Sequence, residues 1–158
     1  MRVGIVSASV PLRGDAEAAM GEGLEAALRA AGHEAELILL PFDEAPEAQL
    51  TQRAAYRAME FAPHYDLVVT LRTPAEMVRH PRKVAWLASV PRGPESGATL
   101  ADRALGAACA RSSLMGLREA RRVLAASENV AGHLRGAGLE VRVVAPDDWR
   151  AVLREVLA

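Results

Sequence analysis

The alternation of strand and helix patterns in the first 40 residues constrains the fold more than any other feature of the sequence. A β-branched apolar run, RVGIVS, passes through a loop into a helical pattern that ends at Gly32, and a second apolar run, residues 35–40, follows at once. The helix carries an apolar stripe at Met20, Leu24 and Leu28, with Ala27 and Ala31 beside it. This spacing is typical of a helix packed on a sheet. The stretch therefore predicts a parallel βαβ unit, with Gly32 as the left-handed stop of its helix.

The same alternation continues to the end of the chain. Four further apolar runs predict strands, at residues 66–70, 83–87, 122–126 and 140–144. Helical patterns lie between and after them, at residues 50–61, 73–80, 99–117, 127–135 and 147–157. Six strands that alternate with helices predict an α/β fold with a doubly wound, mostly parallel six-stranded Rossmann-like sheet and helices on both faces. The expected strand order is 3-2-1-4-5-6.

Some helices also have an apolar side that predicts how they pack. In the helix at residues 50–61 this side comprises Leu50, Ala54, Arg57, Ala58 and Phe61. In the helix at residues 99–117 the expected sheet-facing positions include Leu100, Ala104, Ala107, Ala108, Arg111 and Met115. The segment 147–158 is strongly amphipathic, and we expect this terminal helix to dock beside the fifth and sixth strands or to self-associate.

Length and composition set the class of protein. A chain of 158 residues with 51% hydrophobic residues and a net charge of −1 suits a single domain. Near-neutral charge gives no general attraction to nucleic acid or to an anionic membrane. The sequence lacks an apolar run of about 20 residues and a signal peptide, so no membrane span is expected. The single cysteine, Cys109, fits a reducing compartment and a small core residue, so the expected location is cytoplasmic.

The candidate site follows from the fold. Ligands of doubly wound sheets bind beyond the carboxyl ends of the strands, where the strand order reverses. With the expected order, this point lies between the loops after strands one and four. The candidate ligand-binding residues are Ser9, Arg13, Gly14 and Asp15 on one side and Ser89 and Arg92 on the other, with Arg72 nearby; Ser7, Thr73, Glu95, Ser96 and Ser127 lie in the same loops or close to them.

Several familiar chemistries do not fit the sequence. It contains no G-x-G-x-x-G after the first strand, no Walker A motif and no G-x-S-x-G motif. The four histidines, His33, His64, His80 and His133, are separated by spacings that match no common metal-ligand set. We therefore expect neither a metal nor another cofactor.

Three segments together resemble a known family. They are the opening MRVGIVSASVPLRGDAEAAMGEGLEAALRAAGHE, the middle YDLVVTLRTPAEMVRHPRKVAWL, and the later EARRVLAASENVAGHLR. In this order they resemble the N-terminal, acceptor-side Rossmann-like half of a GT-B glycosyltransferase of the family-4 (group 1) type. The match covers nearly the whole chain up to Pro146. The resemblance implies a Rossmann-like fold and a role in binding an acceptor for glycosyl transfer.

The chain also departs from the family pattern. Family members carry a second half that supplies most of the nucleotide-sugar site, and the sequence reaches only the point where the linker to that half would begin. They also tend to have a histidine in the loop after the W-L strand, where this chain has Ser89 and Pro91 and retains only Arg92. In place of two consecutive glycines after the first strand it has Gly14 and Asp15, and a carboxylate there repels a phosphate unless Arg13 compensates.

Two functions remain open from the sequence. The chain is expected to be either a glycosyltransferase-like acceptor-side domain that is inactive without a donor-binding half, or a stand-alone binding or interaction module derived from such a domain. Its possible partners are a separate donor-binding half, a second copy of the chain and a small-molecule acceptor. Catalytic residues are not identified by the sequence.

Overall fold

One parallel sheet of six strands forms the centre of the protein. The computed structural model describes residues 1–10, 16–91 and 99–158. The strands are β1 (Arg2–Ser9), β2 (Glu34–Pro41), β3 (Leu67–Thr70), β4 (Lys83–Leu87), β5 (Arg122–Ala125) and β6 (Val141–Val143). The helices are α1 (Ala16–Ala30), α2 (Gln49–Ala58), α3 (Leu100–Arg118), α4 (Glu128–Gly136) and α5 (Trp149–Leu157). The predicted α/β class with a Rossmann-like doubly wound sheet is confirmed.

The order of the strands differs from the expected 3-2-1-4-5-6. The observed order is β2-β1-β3-β4-β5-β6, and every neighbouring pair is parallel. The third strand therefore lies against β1, on the side away from β2. Crossovers between parallel strands are right-handed, so the face on which α2 packs decides the direction in which the chain moves. Periodicity along the sequence does not contain this information.

The helices cover both faces of the sheet. On one face, α1 and α5 pack on inward residues of the central strands, including Ile5, Val69 and Trp86. On the other face, Tyr56 of α2 packs near Val6 and Val68, while α3 and α4 cover Ala85, Leu87 and Ala125. Because both faces are covered, the central strands are almost entirely apolar, as the sequence predicted.

The βαβ unit at the start of the chain forms as predicted. Met20, Leu24 and Leu28 are buried against the sheet, whereas Ala31 is exposed beyond the end of α1. Gly32 has a φ of 85°, a left-handed conformation that glycine adopts without a Cβ clash. The backbone N–H of Glu34 then donates to the carbonyl of Met1 and places β2 in register beside β1.

The predicted inward sides of α2 and α3 are wrong. In α2 the buried residues are Gln49, Arg53 and Tyr56, whereas Leu50 is 47% exposed. In α3 they are Cys109, Ser113, Gly116 and Leu117, whereas Leu100 is 76% exposed. A Cβ on Gly116 would lie 2.5 Å from the carbonyl oxygen of Glu76, so α3 turns its small residues inward to approach the neighbouring chain. The buried polar side chains of α2 bond to residues outside the helix, Gln49 to the carbonyl of Glu44 and Arg53 to two serines of α3, and no helical pattern shows this.

The helix expected at residues 73–80 is also wrong. The chain there forms a single 3₁₀ turn, Ala75–Met77, after a cis Thr73–Pro74 peptide bond. The side chain of Thr73 does not cap this turn, and Glu76 points into the protein rather than forming a capping box. The capping pattern predicted a local interaction of Glu76 with the start of a helix. Glu76 is instead buried against other elements of the fold, so the capping box does not form.

The terminal helix α5 docks on the sheet, as expected. Val152 and Val156 are buried, and the Asp148 side chain accepts a hydrogen bond from the N–H of Ala151 at the start of the helix. The helix contacts Leu124 of β5 and Val144 after β6, and it also packs against α1. Its position therefore extends from the predicted flank to the middle of this face.

Candidate functional site at the carboxyl edge of the sheet

The reversal of strand order lies between β1 and β3. The chain moves from β1 to β2 in one direction and continues from β2 to β3 on the opposite side of β1. The sequence placed this point between the first and fourth strands, and the observed order corrects that placement. The loop after β3 thus becomes the direct neighbour of the loop after β1, and the loop after β4 lies one strand further away.

Arg72 lies in this central position. It follows β3, and its carbonyl accepts a hydrogen bond from the N–H of Ala75 at 2.8 Å, which folds the loop back on itself. Its guanidinium nitrogen Nη2 lies 3.8 Å from a carboxylate oxygen of Glu44, in the loop after β2. The Arg72 side chain is 18% exposed, so a charged group able to contact a ligand is held at the edge between β1 and β3.

Ser89 connects the loop after β4 to the first turn of α1. Its hydroxyl donates a hydrogen bond of 2.8 Å to a carboxylate oxygen of Glu17. Ser89 is exposed, and Glu17 lies in the first turn of the helix that follows the β1 loop. The loop after β4 therefore contacts the start of α1 although β1 and β4 are not adjacent.

The remaining candidates separate into three groups. Ser9 is half-buried at the end of β1, and its carbonyl accepts a hydrogen bond from the N–H of Phe42. Ser7 is fully buried and cannot contact a ligand from solvent, and Ser127 caps α4 through a bond from the N–H of Val130. The last group, Arg13, Gly14, Asp15, Arg92, Glu95 and Ser96, lies outside the described residues.

A buried polar cluster lies beside the Arg72 loop and was missed by the sequence reasoning. Nη1 of Arg53 donates to the hydroxyls of Ser112 and Ser113 at 3.0 and 2.8 Å and lies 3.7 Å from Oε1 of Glu76. Arg53 is 2% exposed and Glu76 is fully buried. Among the described residues, both Glu76 carboxylate oxygens and two Arg53 nitrogens lack a hydrogen-bond partner. Desolvation raises the pKa of Glu76, and the nearby Ser113 hydroxyl and the charge of Arg53 oppose this rise.

Lys83 holds the other side of the same turn. Its Nζ donates to the carbonyls of Glu76 and Val78 at 2.7 and 2.9 Å, and its side chain is fully buried. Burial lowers the pKa of Lys83 to about 8, although Glu119 and Glu76 oppose the change. Side chains of α2, α3 and β4 thus hold the turn that follows Arg72 in place.

The histidines lie away from this edge. His33, His64 and His80 precede β2, β3 and β4, and His133 lies near the end of α4. His80 has a structural role, since its Nδ1 accepts from the N–H of Arg82 and its Nε2 lies 3.0 Å from the carbonyl of Tyr65. The described carboxyl edge can therefore bind a ligand through Arg72 and serine hydroxyls, but it carries no imidazole for proton transfer.

Two further findings bear on the class of protein. Within residues 1–10, 16–91 and 99–158, no group of three or more His, Cys, Asp or Glu side chains could hold a metal ion. In the same ranges, every helix is too short or too polar to span a bilayer.

The sequence matches no known family model and no curated protein.

Proposed function

We propose that this chain is the acceptor-side Rossmann-like half of a glycosyltransferase of the GT-B, family-4 type, and that it binds a hydroxyl-bearing acceptor at the carboxyl edge of the sheet. The observation that carries the proposal is that the loops after β3 and β4 lie near the end of β1 and the start of α1, at the strand reversal. Arg72 follows β3 there, and the bond from Ser89 to Glu17 joins the β4 loop to the start of α1. This edge is where doubly wound sheets bind their ligands.

The roles of the family-like segment HPRKVAWL support the proposal. His80 ties the start of β4 to the carbonyl of Tyr65, Lys83 anchors the turn after β3, and the indole N–H of Trp86 donates to the carbonyl of Val144 at 3.3 Å. These residues fix the strand that leads into the Ser89 loop. The resemblance to the family at His80, Lys83 and Trp86 therefore concerns residues that hold β4 and its neighbouring loops in place.

The chemistry expected of this half is binding and orientation. Guanidinium and hydroxyl groups can hold the hydroxyls of an acceptor and align one of them for attack. Stabilisation of the departing donor phosphate requires cations or backbone N–H groups aimed at it. A second half would supply these, whether it belongs to the same polypeptide or to another.

A stand-alone binding module is the second candidate, and the Ser89 position favours it. Family members tend to carry a histidine in this loop, whereas Ser89 donates its hydroxyl hydrogen to Glu17. A hydroxyl does not titrate near neutral pH as an imidazole does. Such a module would bind the same acceptor without contributing to transfer.

The proposal is tested by NMR titration of the 158-residue chain. Amide spectra are recorded with UDP-glucose and GDP-mannose as donors and with a panel of mono- and disaccharides as acceptors. We expect saturable shifts with at least one acceptor, at residues after β1, β3 and β4, and none with the donors alone. Micromolar binding of a donor, or the absence of any acceptor shifts at this edge, would contradict the proposal.

Matched variants locate the site, and an activity assay separates the two candidates. Arg72→Gln and Ser89→Ala should each weaken acceptor binding, whereas Arg103→Gln, on the exposed side of α3, should leave it unchanged. A family-4 donor-binding half fused or added to the chain should give glycosyl transfer to the acceptor under the first candidate. Binding without transfer would support the binding module.

A further inference from the structure

A basic groove lies at the amino-terminal edge of the sheet, opposite the candidate acceptor site. It has a volume of about 400 Å³ and runs between the end of α3, the starts of β5 and β6, and the turn after α4. Among the described residues, four arginines line it, namely Arg118, Arg121, Arg122 and Arg142, and Glu140 is the one carboxylate in its lining. This is a marked concentration of positive charge in a chain whose net charge is −1.

The four arginines differ in their ion-pair and hydrogen-bond partners. Arg142 pairs with the Glu155 carboxylate at 2.7 Å, and Arg122 donates to the backbone carbonyl of Glu155, which leaves its charge without a counter-ion. Arg118 and Arg121 are exposed and pair with no carboxylate in the described part of the chain. Arg118, Arg121 and Arg122 outnumber the negative groups beside them, which are the Glu140 carboxylate and the Ala158 end of the chain. The groove therefore keeps an excess of positive charge for a ligand to neutralise.

We propose that this groove binds the phosphate group of a small phosphorylated molecule. A phosphate monoester carries a charge of about −1.5 to −2 at pH 7, opposite in sign to the excess charge of the groove. The guanidinium fork binds such oxygens in a bidentate manner, and Arg118 and Arg121 have theirs available. The half-buried Val141 lines the same groove and offers an apolar contact for the rest of the molecule.

The surrounding backbone works against this binding to a limited extent. The carboxyl-terminal ends of α3, α4 and α5 lie at the same edge, and each contributes a partial negative charge of about 0.5. These helix ends stabilise nearby arginines in the absence of a ligand. They do not neutralise three guanidinium groups, so the groove remains attractive to a dianion. The site is independent of the acceptor site, which lies at the other end of the strands.

The test is an amide NMR titration with inorganic phosphate and with glycerol 3-phosphate, at an ionic strength held constant with sodium chloride. We expect saturable shifts at residues 117–123 and 138–142 and none at the ends of β1, β3 and β4. Arg118→Gln/Arg121→Gln should weaken binding at least about tenfold, the equivalent of about 1.4 kcal/mol. The control Arg103→Gln/Arg111→Gln, which removes two exposed charges from α3 outside the groove, should change affinity less than about twofold.

A further variant and a vesicle-binding experiment distinguish between the possible results. Glu140→Gln removes the lining carboxylate and should strengthen phosphate binding, which tests the groove without removing an arginine. Equal weakening by the two double variants, or no saturable shift at the groove, would overturn the proposal. Binding to vesicles that contain phosphatidic acid, without binding of glycerol 3-phosphate, would assign the groove to a lipid surface and overturn it as well. Because the acceptor titration monitors the opposite edge, either proposal can fail without the other.

Discussion

At the scale of single residues, the buried charges next to the candidate site determine how its central loop is held. Lys83 is the only lysine of the chain, and its Nζ fits between the carbonyls of Glu76 and Val78. Arg53 of α2 lies beside the same turn and donates hydrogen bonds to two serines of α3. Buried charges are costly unless they are paired, so this cluster fixes the turn at the expense of stability.

Lys83 gives a prediction about pH. Its pKa falls from 10.5 to about 8 on folding, so between these values the unfolded chain holds a proton that the folded chain has released. The free energy of unfolding should therefore rise as pH increases from about 8 to about 9.5, by roughly 1–2 kcal/mol. Tyr65, whose pKa is raised to about 12, gives the opposite trend only above about pH 10.

Urea unfolding at several pH values measures this rise, and Lys83→Met should remove it. Because the chain has a single lysine, ¹³Cε-lysine labelling gives one side-chain signal whose titration reports the pKa directly. A midpoint near that of a free lysine would contradict the interpretation.

Arg53 and Glu76 give a second prediction at this scale. Arg53→Met removes the cation that pairs with the buried Glu76 carboxylate and should lower the free energy of unfolding by about 3–5 kcal/mol at neutral pH. The pKa of Glu76 is raised on folding, so protonation favours the folded state, and the loss should shrink as pH falls and Glu76 takes up a proton. The double variant with Glu76→Gln should cost less than the sum of the single changes, as measured by denaturant unfolding.

At the scale of elements, the contact between α1 and α5 shows how a terminal helix becomes part of the core. Trp149 packs edge-on against Trp86, with ring centroids 6.2 Å apart, and its ring also lies over Gly23 of α1. A Cβ on Gly23 would come within 2.4 Å of the Trp149 ring. Because Gly23 has no side chain, α1 leaves room for the Trp149 ring of α5.

This contact predicts a set of matched substitutions. Trp149→Ala should reduce stability by roughly 3 kcal/mol, as truncation of large core residues does. Gly23→Ala should cost about 1–3 kcal/mol because the ring must move. Gly106→Ala in α3 has open space around its Cβ and should instead stabilise the protein by about 0.5–1 kcal/mol.

Denaturant unfolding of the single variants and of Gly23→Ala in a Trp149→Ala background measures the coupling. In that background the substitution at Gly23 should no longer be destabilising. If it cost the same in both backgrounds, α5 would not depend on this contact.

At the scale of the whole molecule, the two covered faces of one sheet should make folding cooperative. Trp86 and Trp149 lie on the face covered by α1 and α5, whereas α2, α3 and α4 cover the other. Tryptophan fluorescence therefore reports on one face, and far-UV circular dichroism reports on the helices of both. We expect the two signals to give a single coincident thermal transition. Separate midpoints would show that the faces unfold independently.

The sequence by itself determined the elements and their class. Strand and helix periods are local properties, so the six strands and the left-handed stop at Gly32 follow from residues close to one another in the chain. Alternation of these elements in turn restricts the topology to a parallel sheet with helices on both faces. The edge of the sheet at which candidate ligand-binding residues gather could be predicted for the same reason.

Only the tertiary structure decided which strand lies beside which, and hence which loops meet. The position of β3 against β1 depends on the face that α2 covers, and it moved Arg72 from the margin of the candidate site to its centre. The inward sides of α2 and α3 were likewise set by distant partners, such as the serines that bind Arg53 and the Glu76 carbonyl that approaches Gly116. Hydrogen bonds and close approaches between residues far apart in the chain leave no periodic signal, and for that physical reason the structure was needed to reveal them.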